Sequence, residues 1–228
     1  MKNVRKSLKY LKISKIFVER VLVFSSIFLI IVTCKEEKAT IINQKEKPIE
    51  QEVKTWQDSF GLTHVIDIDS IWKKPIRYYV SNKNCDSTAL KFYLGVYRPT
   101  DEPETERLLN LVTTKNDSLR PFYRWILDKT IIIQDGALGE YTGTPARMYA
   151  EKFPKEFFEY MDSDLSGKKY SDWCSSIGYS GFYNSENFDE PEIVKTNLIK
   201  VMSENCVDCN KKYEKRIIKF ANDCFSNQ

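Results

Sequence analysis

Proline punctuates this chain at Pro75, Pro103, Pro121, Pro145, Pro154 and Pro191, and each stands near the start of a stretch with helix-like apolar spacing. Proline has no N–H to donate and a fixed φ. It therefore fits the first turn of a helix and disrupts the interior of one. The chain is thus confined to short helices. Polar residues stand ahead of several of them as candidate N-caps: Glu102, Ser118 (before Leu119), Thr144 and Glu190. Ser and Thr cap by accepting a backbone N–H; Glu caps poorly, but its charge suits the positive end of the helix.

The apolar spacing agrees. Ala89, Phe92, Tyr93 and Val96 recur at helical intervals, as do Leu119, Phe122, Trp125, Ile126 and Ile133. Leu108, Leu109, Leu111 and Val112 form a shorter stripe, and Phe157, Tyr160 and Met161 another. Val194, Leu198, Val201 and Met202 follow Pro191, and Tyr213, Ile217, Phe220, Ala221 and Cys224 make the cleanest stripe. Such stripes bury one face of a helix against its neighbours. With short connections between them, the expected fold is all-α: seven or eight short antiparallel helices arranged as helical hairpins. Room remains for one short β element. Ile66–Ile68 alternates weakly, and the β-branched Thr130–Ile133 reads as a helix end with a strand as the alternative.

Ahead of this domain lies a different kind of sequence. Seven Lys and Arg against one Glu precede an apolar run of thirteen residues, Val21 to Thr33, which ends at Cys34. A helix needs roughly 17–25 apolar residues to cross a bilayer core about 30 Å thick, so the run suits the apolar core of a signal peptide better than a span. An uncleaved signal anchor is the alternative. Ile31-Val32-Thr33-Cys34 resembles the lipobox of bacterial lipoproteins, although Ile31 and Thr33 depart from the family's usual Leu and small residue. The resemblance implies that Cys34 is acylated and becomes the new N-terminus. Lys35, Glu36 and Glu37 look like the short acidic signal that sends some Gram-negative lipoproteins to the outer face of the outer membrane.

The expected organisation is a signal peptide over 1–33, a tether over 34–54 and a single helical domain over 55–228. The tether is charged and poor in aromatics, so it cannot bury enough apolar surface to offset the entropy of ordering it. Formal charge is +3, but seven of the 35 basic and one of the 32 acidic residues precede Cys34. The remainder carries 28 basic against 31 acidic residues. That balance gives no electrostatic footprint for nucleic acid.

Five cysteines follow Cys34: Cys85, Cys174, Cys206, Cys209 and Cys224. Outside the cytoplasm thiols tend to pair, and an odd number leaves one over. Cys206-Val-Asp-Cys209 is expected to clip the turn between the last two helices. A redox pair or half a zinc site is the alternative, but no βαβ context, second C-x-x-C or nearby histidine supports either. If 210–224 is one helix, its ends lie about 20 Å apart. Cys224 then cannot reach Cys206 or Cys209, because a disulfide needs Cα atoms within about 7 Å. Cys174 is its preferred partner, with Cys85 or a free thiol as the alternatives.

No nucleotide, metal or catalytic motif is present, and no cofactor is implied. His64 is the sole histidine. The stretch from Asp135 to Pro145 holds three of the eight glycines and reads as a loop between helices, with Gly136 as C-cap and Thr144 as N-cap. It is nevertheless the first place to look for a ligand site, with Asp135, Glu140 and Arg147 as its polar groups. Gly178 to Phe188, GYSGFYNSENF, has the Tyr, Gly, Ser and Asn composition of adaptable recognition loops. The favoured reading is a non-enzymatic binding domain held at the membrane by its lipid, with envelope or surface proteins as partners, an immunity-type protective role included. The alternative is an enzyme acting on envelope glycans through carboxylates near Glu140, paired with Asp135 or Glu151.

Overall fold

A computed structural model describes residues 55–60, 62 and 70–226. The leader, Cys34, the Lys35-Glu36-Glu37 signal, the tether, His64 and the Ile66–Ile68 strand all lie outside the described residues. Within them the chain forms ten α-helices, eight of them seven residues or longer, and one two-stranded antiparallel hairpin. The all-α expectation therefore holds.

A single turn, α1 (Trp56–Ser59), precedes the hairpin of β1 (Ser70–Ile71) and β2 (Lys74–Pro75). Two short helices follow, α2 (Ile76–Val80) and α3 (Ser87–Tyr93), then α4 (Pro103–Asn110), which runs on into a 3-10 turn over Leu111–Thr113. The longer helices come next: α5 (Arg120–Ile133), α6 (Gly136–Lys152), α7 (Pro154–Asp162), α8 (Lys168–Ser180), α9 (Pro191–Asn205) and α10 (Lys211–Asp223). Pro103, Pro154 and Pro191 each open their helix, and Pro75 caps α2. Glu102 and Glu190 occupy N-cap positions but accept no capping hydrogen bond. Asp86, Asp135 and Asn210 do the capping, each accepting backbone N–H bonds.

α5 stands at the centre. Eleven of its fourteen residues are buried, on all sides rather than along one stripe. Phe122 and Trp125 stack with ring centres 5.8 Å apart, and a second aromatic cluster joins Tyr149, Phe157, Trp173 and Phe220. The stripe residues Leu108, Leu109, Phe157, Met161, Leu198, Ile217 and Phe220 are all buried, as their spacing requires.

Four local expectations are corrected. Thr130–Ile133 ends α5 and is not a strand; the Thr130 hydroxyl bonds back to the Ile126 carbonyl at 2.9 Å. Ser118 does not cap α5, because Leu119 occupies that position. Val96 lies beyond the end of α3 and is exposed. The Asp135–Pro145 loop is the first part of α6, so Gly136 opens a helix, Thr144 is interior, and Pro145 sits in mid-helix.

That last correction has a tertiary cause. Each glycine weakens a helix by about 1 kcal/mol and an interior proline by about 3. Gly139 and Gly143 share one face of α6, four residues apart, and α8 packs directly onto it. A Cβ on Gly143 would lie 2.4 Å from the Ser176 carbonyl oxygen and 2.4 Å from Ser180 Oγ. Ser180 Oγ accepts the Gly143 N–H at 3.0 Å and donates to the Gly139 carbonyl at 2.6 Å. Close packing and these buried bonds offset the poor propensity.

Candidate functional site

The fold brings together two stretches that composition marks separately. The segment following α8, residues 181–190, runs beside α6, and two small cavities open along it. One, of about 190 Å³, is lined by Glu106, Glu140, Tyr141, Thr144, Tyr183 and Asn184 among others. The other, of about 170 Å³, is lined by Arg147, Glu151, Phe182, Glu186, Asn187 and Asn197 among others. Glu140 and Arg147 thus both face the recognition-like segment, each in its own cavity. Asp135 joins neither; its carboxylate accepts the Leu138 N–H at 3.0 Å and caps α6.

The segment is anchored at its start and open further along. Gly139 leaves room for the Tyr179 ring, which a Cβ would meet at 3.2 Å. The Tyr179 hydroxyl donates to the Gly136 carbonyl at 3.4 Å, and Phe182 is buried. Past these anchors the aromatics turn outward. Tyr179 is 49% exposed, Tyr183 51% and Phe188 60%, so three large rings stand in water on one short segment. Tyr179 and Tyr183 lie 6.2 Å apart.

Beneath the segment, Arg147 pairs with Glu151 at 3.3 Å and lies 5.3 Å from the Phe182 ring centre. Its Nε is buried without a partner. Burial raises the Glu151 pKa, against the pull of Arg147. The carboxylates needed for glycoside cleavage do not come from α6 alone. Glu140 and Glu151 are eleven residues apart on one helix, about 16 Å along its axis. Acid and nucleophile or base must lie roughly 5–9.5 Å apart. Glu106 of α4, which shares the cavity with Glu140, is the carboxylate that the fold supplies instead.

Cys206 and Cys209 form a disulfide, Cα atoms 5.4 Å apart, in the turn between α9 and α10. Cys85, Cys174 and Cys224 are thiols. Burial, with the Asp86 carboxylate nearby, pushes the Cys85 thiol up to about 11. Among the described residues no group of three or more His, Cys, Asp or Glu side chains is placed to hold a metal ion. No helix among them is long and apolar enough to cross a membrane.

One constellation escaped the pattern reading. Arg124 is completely buried, with its guanidinium carbon 4.0 Å from the Tyr160 ring centre and 4.4 Å from that of Trp72. It donates to the Tyr149 hydroxyl at 2.8 Å and to Glu156 at 3.2 Å, while Nε and Nη2 have no partner. Arg120 bonds the other oxygen of Glu156 at 3.0 Å, and Asp128 accepts the Trp173 indole N–H at 3.0 Å. A signal existed: Arg120, Arg124 and Asp128 recur every four residues, placing three charges on one face of an otherwise apolar helix. Trp72 reaches Arg124 from the hairpin turn, where Trp72 and Lys73 have φ of 48° and 64°.

This chain matches no protein-family model, no curated protein and no solved structure.

Proposed function

We propose that this chain is a lipid-anchored protein of the Gram-negative envelope whose helical domain is a binding module. The segment 179–188 on α6 is its recognition surface, and its partner is an envelope or surface protein. The leader supports the anchor, with its basic start, its apolar run too short to span, and Cys34 at its end. The observation that carries the binding role is the outward display of Tyr179, Tyr183 and Phe188 on a segment whose root is tied to α6. Exposed aromatics on a fixed base supply contact area at low entropic cost, and the intervening Ser and Asn adapt to polar groups. An immunity-type role, in which the surface blocks a toxin, belongs to the same class.

The test is photo-crosslinking in producing cells, with the reactive residue placed at Tyr183, at Phe188, or at Leu165. Leu165 is fully exposed and apolar but lies in a separate groove with Phe158 and Tyr170. A discrete adduct from 183 and 188 and none from 165 supports this surface. Equal capture at all three positions, or none at 183 and 188, overturns it. The anchor is tested separately: Cys34→Ala should abolish incorporation of a labelled fatty acid and release the chain from the membrane fraction.

The glycan-acting enzyme is kept as a second reading, because Glu106 and Glu140 share a cavity with Tyr141 and Tyr183. Under it, Glu140→Gln would remove function while leaving fold and expression unchanged. Under the binding reading, that variant stays functional and Tyr183→Ala does not.

A further inference from the structure

Two of the three thiols meet. Cys174 lies in α8, and Cys224 directly follows the last residue of α10; both are buried. The contacts around them fix how the two helices lie. Four residues before Cys174, the Tyr170 hydroxyl donates to the Asp223 carboxylate at 2.6 Å. The Tyr170 ring lies 6.1 Å from that of Phe220. Beyond the thiols, Phe182 stacks on Phe225 with ring centres 5.1 Å apart. Between these two points of attachment, the thiols of Cys174 and Cys224 are within hydrogen-bonding reach of each other.

We propose that Cys174 and Cys224 are the second disulfide of this domain, closing α8 onto the end of α10. The loop it closes runs from 174 to 224 and contains α9 and the Cys206–Cys209 clip. Cys85 is then the domain's unpaired thiol. Cys206–Cys209 closes only its own turn, whereas this bridge joins helices distant in sequence. The chemistry is thiol–disulfide exchange with a disulfide oxidant. One thiolate attacks the oxidant and expels a thiol; the second thiolate attacks the mixed disulfide and expels another. The two cysteines lose two protons and two electrons, and the oxidant gains them as two thiols. Both cysteines are buried in the finished fold, so the bridge forms while the chain is folding, before α10 seals over Cys174. The bridge does not depend on the binding reading, and it depends on export only for the cellular supply of oxidant.

The full chain, reduced and unfolded, is refolded in detergent with oxidised and reduced glutathione, then trapped by alkylation and digested without reductant. The expected product is a cross-linked peptide pair joining Cys174 to Cys224, two hydrogens lighter than the sum of its parts. Cys174→Ala and Cys224→Ala should each unfold at a temperature several degrees below that of the oxidised parent. Recovery of both cysteines as alkylated thiols, or of either linked to Cys34 or Cys85, overturns the proposal. The same mapping on chain recovered from producing cells tests export separately. Free thiols there, with the pair linked after refolding, would count against export and leave the bridge standing.

Discussion

Arg124 lies flat against Tyr160, its guanidinium carbon 4.0 Å from the ring centre, with no part of the side chain reaching water. A buried charge persists only where partners offset its lost hydration, and removing one member strands the others. Arg124→Met should therefore destabilise the domain by about 2–4 kcal/mol, read from urea unfolding. Glu156→Gln should cost less than half as much, because the Glu156 side chain is 23% exposed and water can replace part of what it loses. Equal losses in the two variants would count against Arg124 as the costlier group to strand.

The hairpin turn offers two substitutions of opposite sign. Trp72 and Lys73 both adopt a backbone conformation that glycine tolerates best. Lys73→Gly should stabilise by up to about 1 kcal/mol through relief of that strain. Trp72→Gly relieves the same strain but removes the ring that covers Arg124, and should destabilise by about 2 kcal/mol. Thermal unfolding of the two variants should bracket the parent; a loss in both would show the turn to be unstrained.

Gly143 and Gly136 separate packing from propensity on one helix. An alanine Cβ at Gly143 would strike the Ser176 carbonyl at 2.4 Å, while at Gly136 it meets nothing within 4 Å. Gly143→Ala should destabilise by at least about 2 kcal/mol through forced separation of α6 and α8. Gly136→Ala should be neutral or gain up to about 1 kcal/mol, as the better helix former. Chemical denaturation of both variants is the check, and a tolerated Gly143→Ala would mean that the helices are not so closely seated.

Glu151 and Asp86 should respond to acid in opposite senses. Burial raises the Glu151 pKa in the fold despite Arg147. Its contribution to stability is therefore full below the unfolded value of about 4.3 and declines as pH rises through the folded value. The Arg107 hydrogen bond lowers the Asp86 pKa, with the Ala89 and Thr88 N–H groups adding to it against burial. That contribution is full above about 3.9 and is lost as pH falls through the folded value. At pH 7, Glu151→Gln should be more stable than the parent and Asp86→Asn less. Both differences should shrink on acidification, the first by about pH 4 and the second below it. Asn still caps a helix, so the second variant isolates the charge. Differences that do not change with pH would assign both effects to shape.

What the sequence made legible, and what it hid, divides along the range of the forces. The stripes of α5, α7, α9 and α10 were readable because 3.6-residue spacing is local information, and the prolines at 103, 154 and 191 mark the helix starts. α6 was hidden. Its glycines and Pro145 argue for a loop, and only α8, some thirty-five residues away, reverses that argument by packing on Gly139 and Gly143. The candidate site was legible in pieces. Glu140, Arg147 and Tyr183 were singled out by residue type, but nothing local places the first two beside the segment that carries the third. Arg124 was missed for the opposite reason: its spacing with Arg120 and Asp128 was visible, yet it lay within an apolar run that accounts for burial without it.

The enclosure of α5 limits how this architecture can change. In a stacked solenoid each hairpin leans only on its neighbours, so units can be added or deleted at either end. Here the other helices lodge around one fourteen-residue mast. Lengthening the domain by another hairpin would leave that pair without access to the mast. Novelty must therefore come from the outermost connections, of which the stretch carrying Tyr183 and Phe188 is the one already furnished with rings.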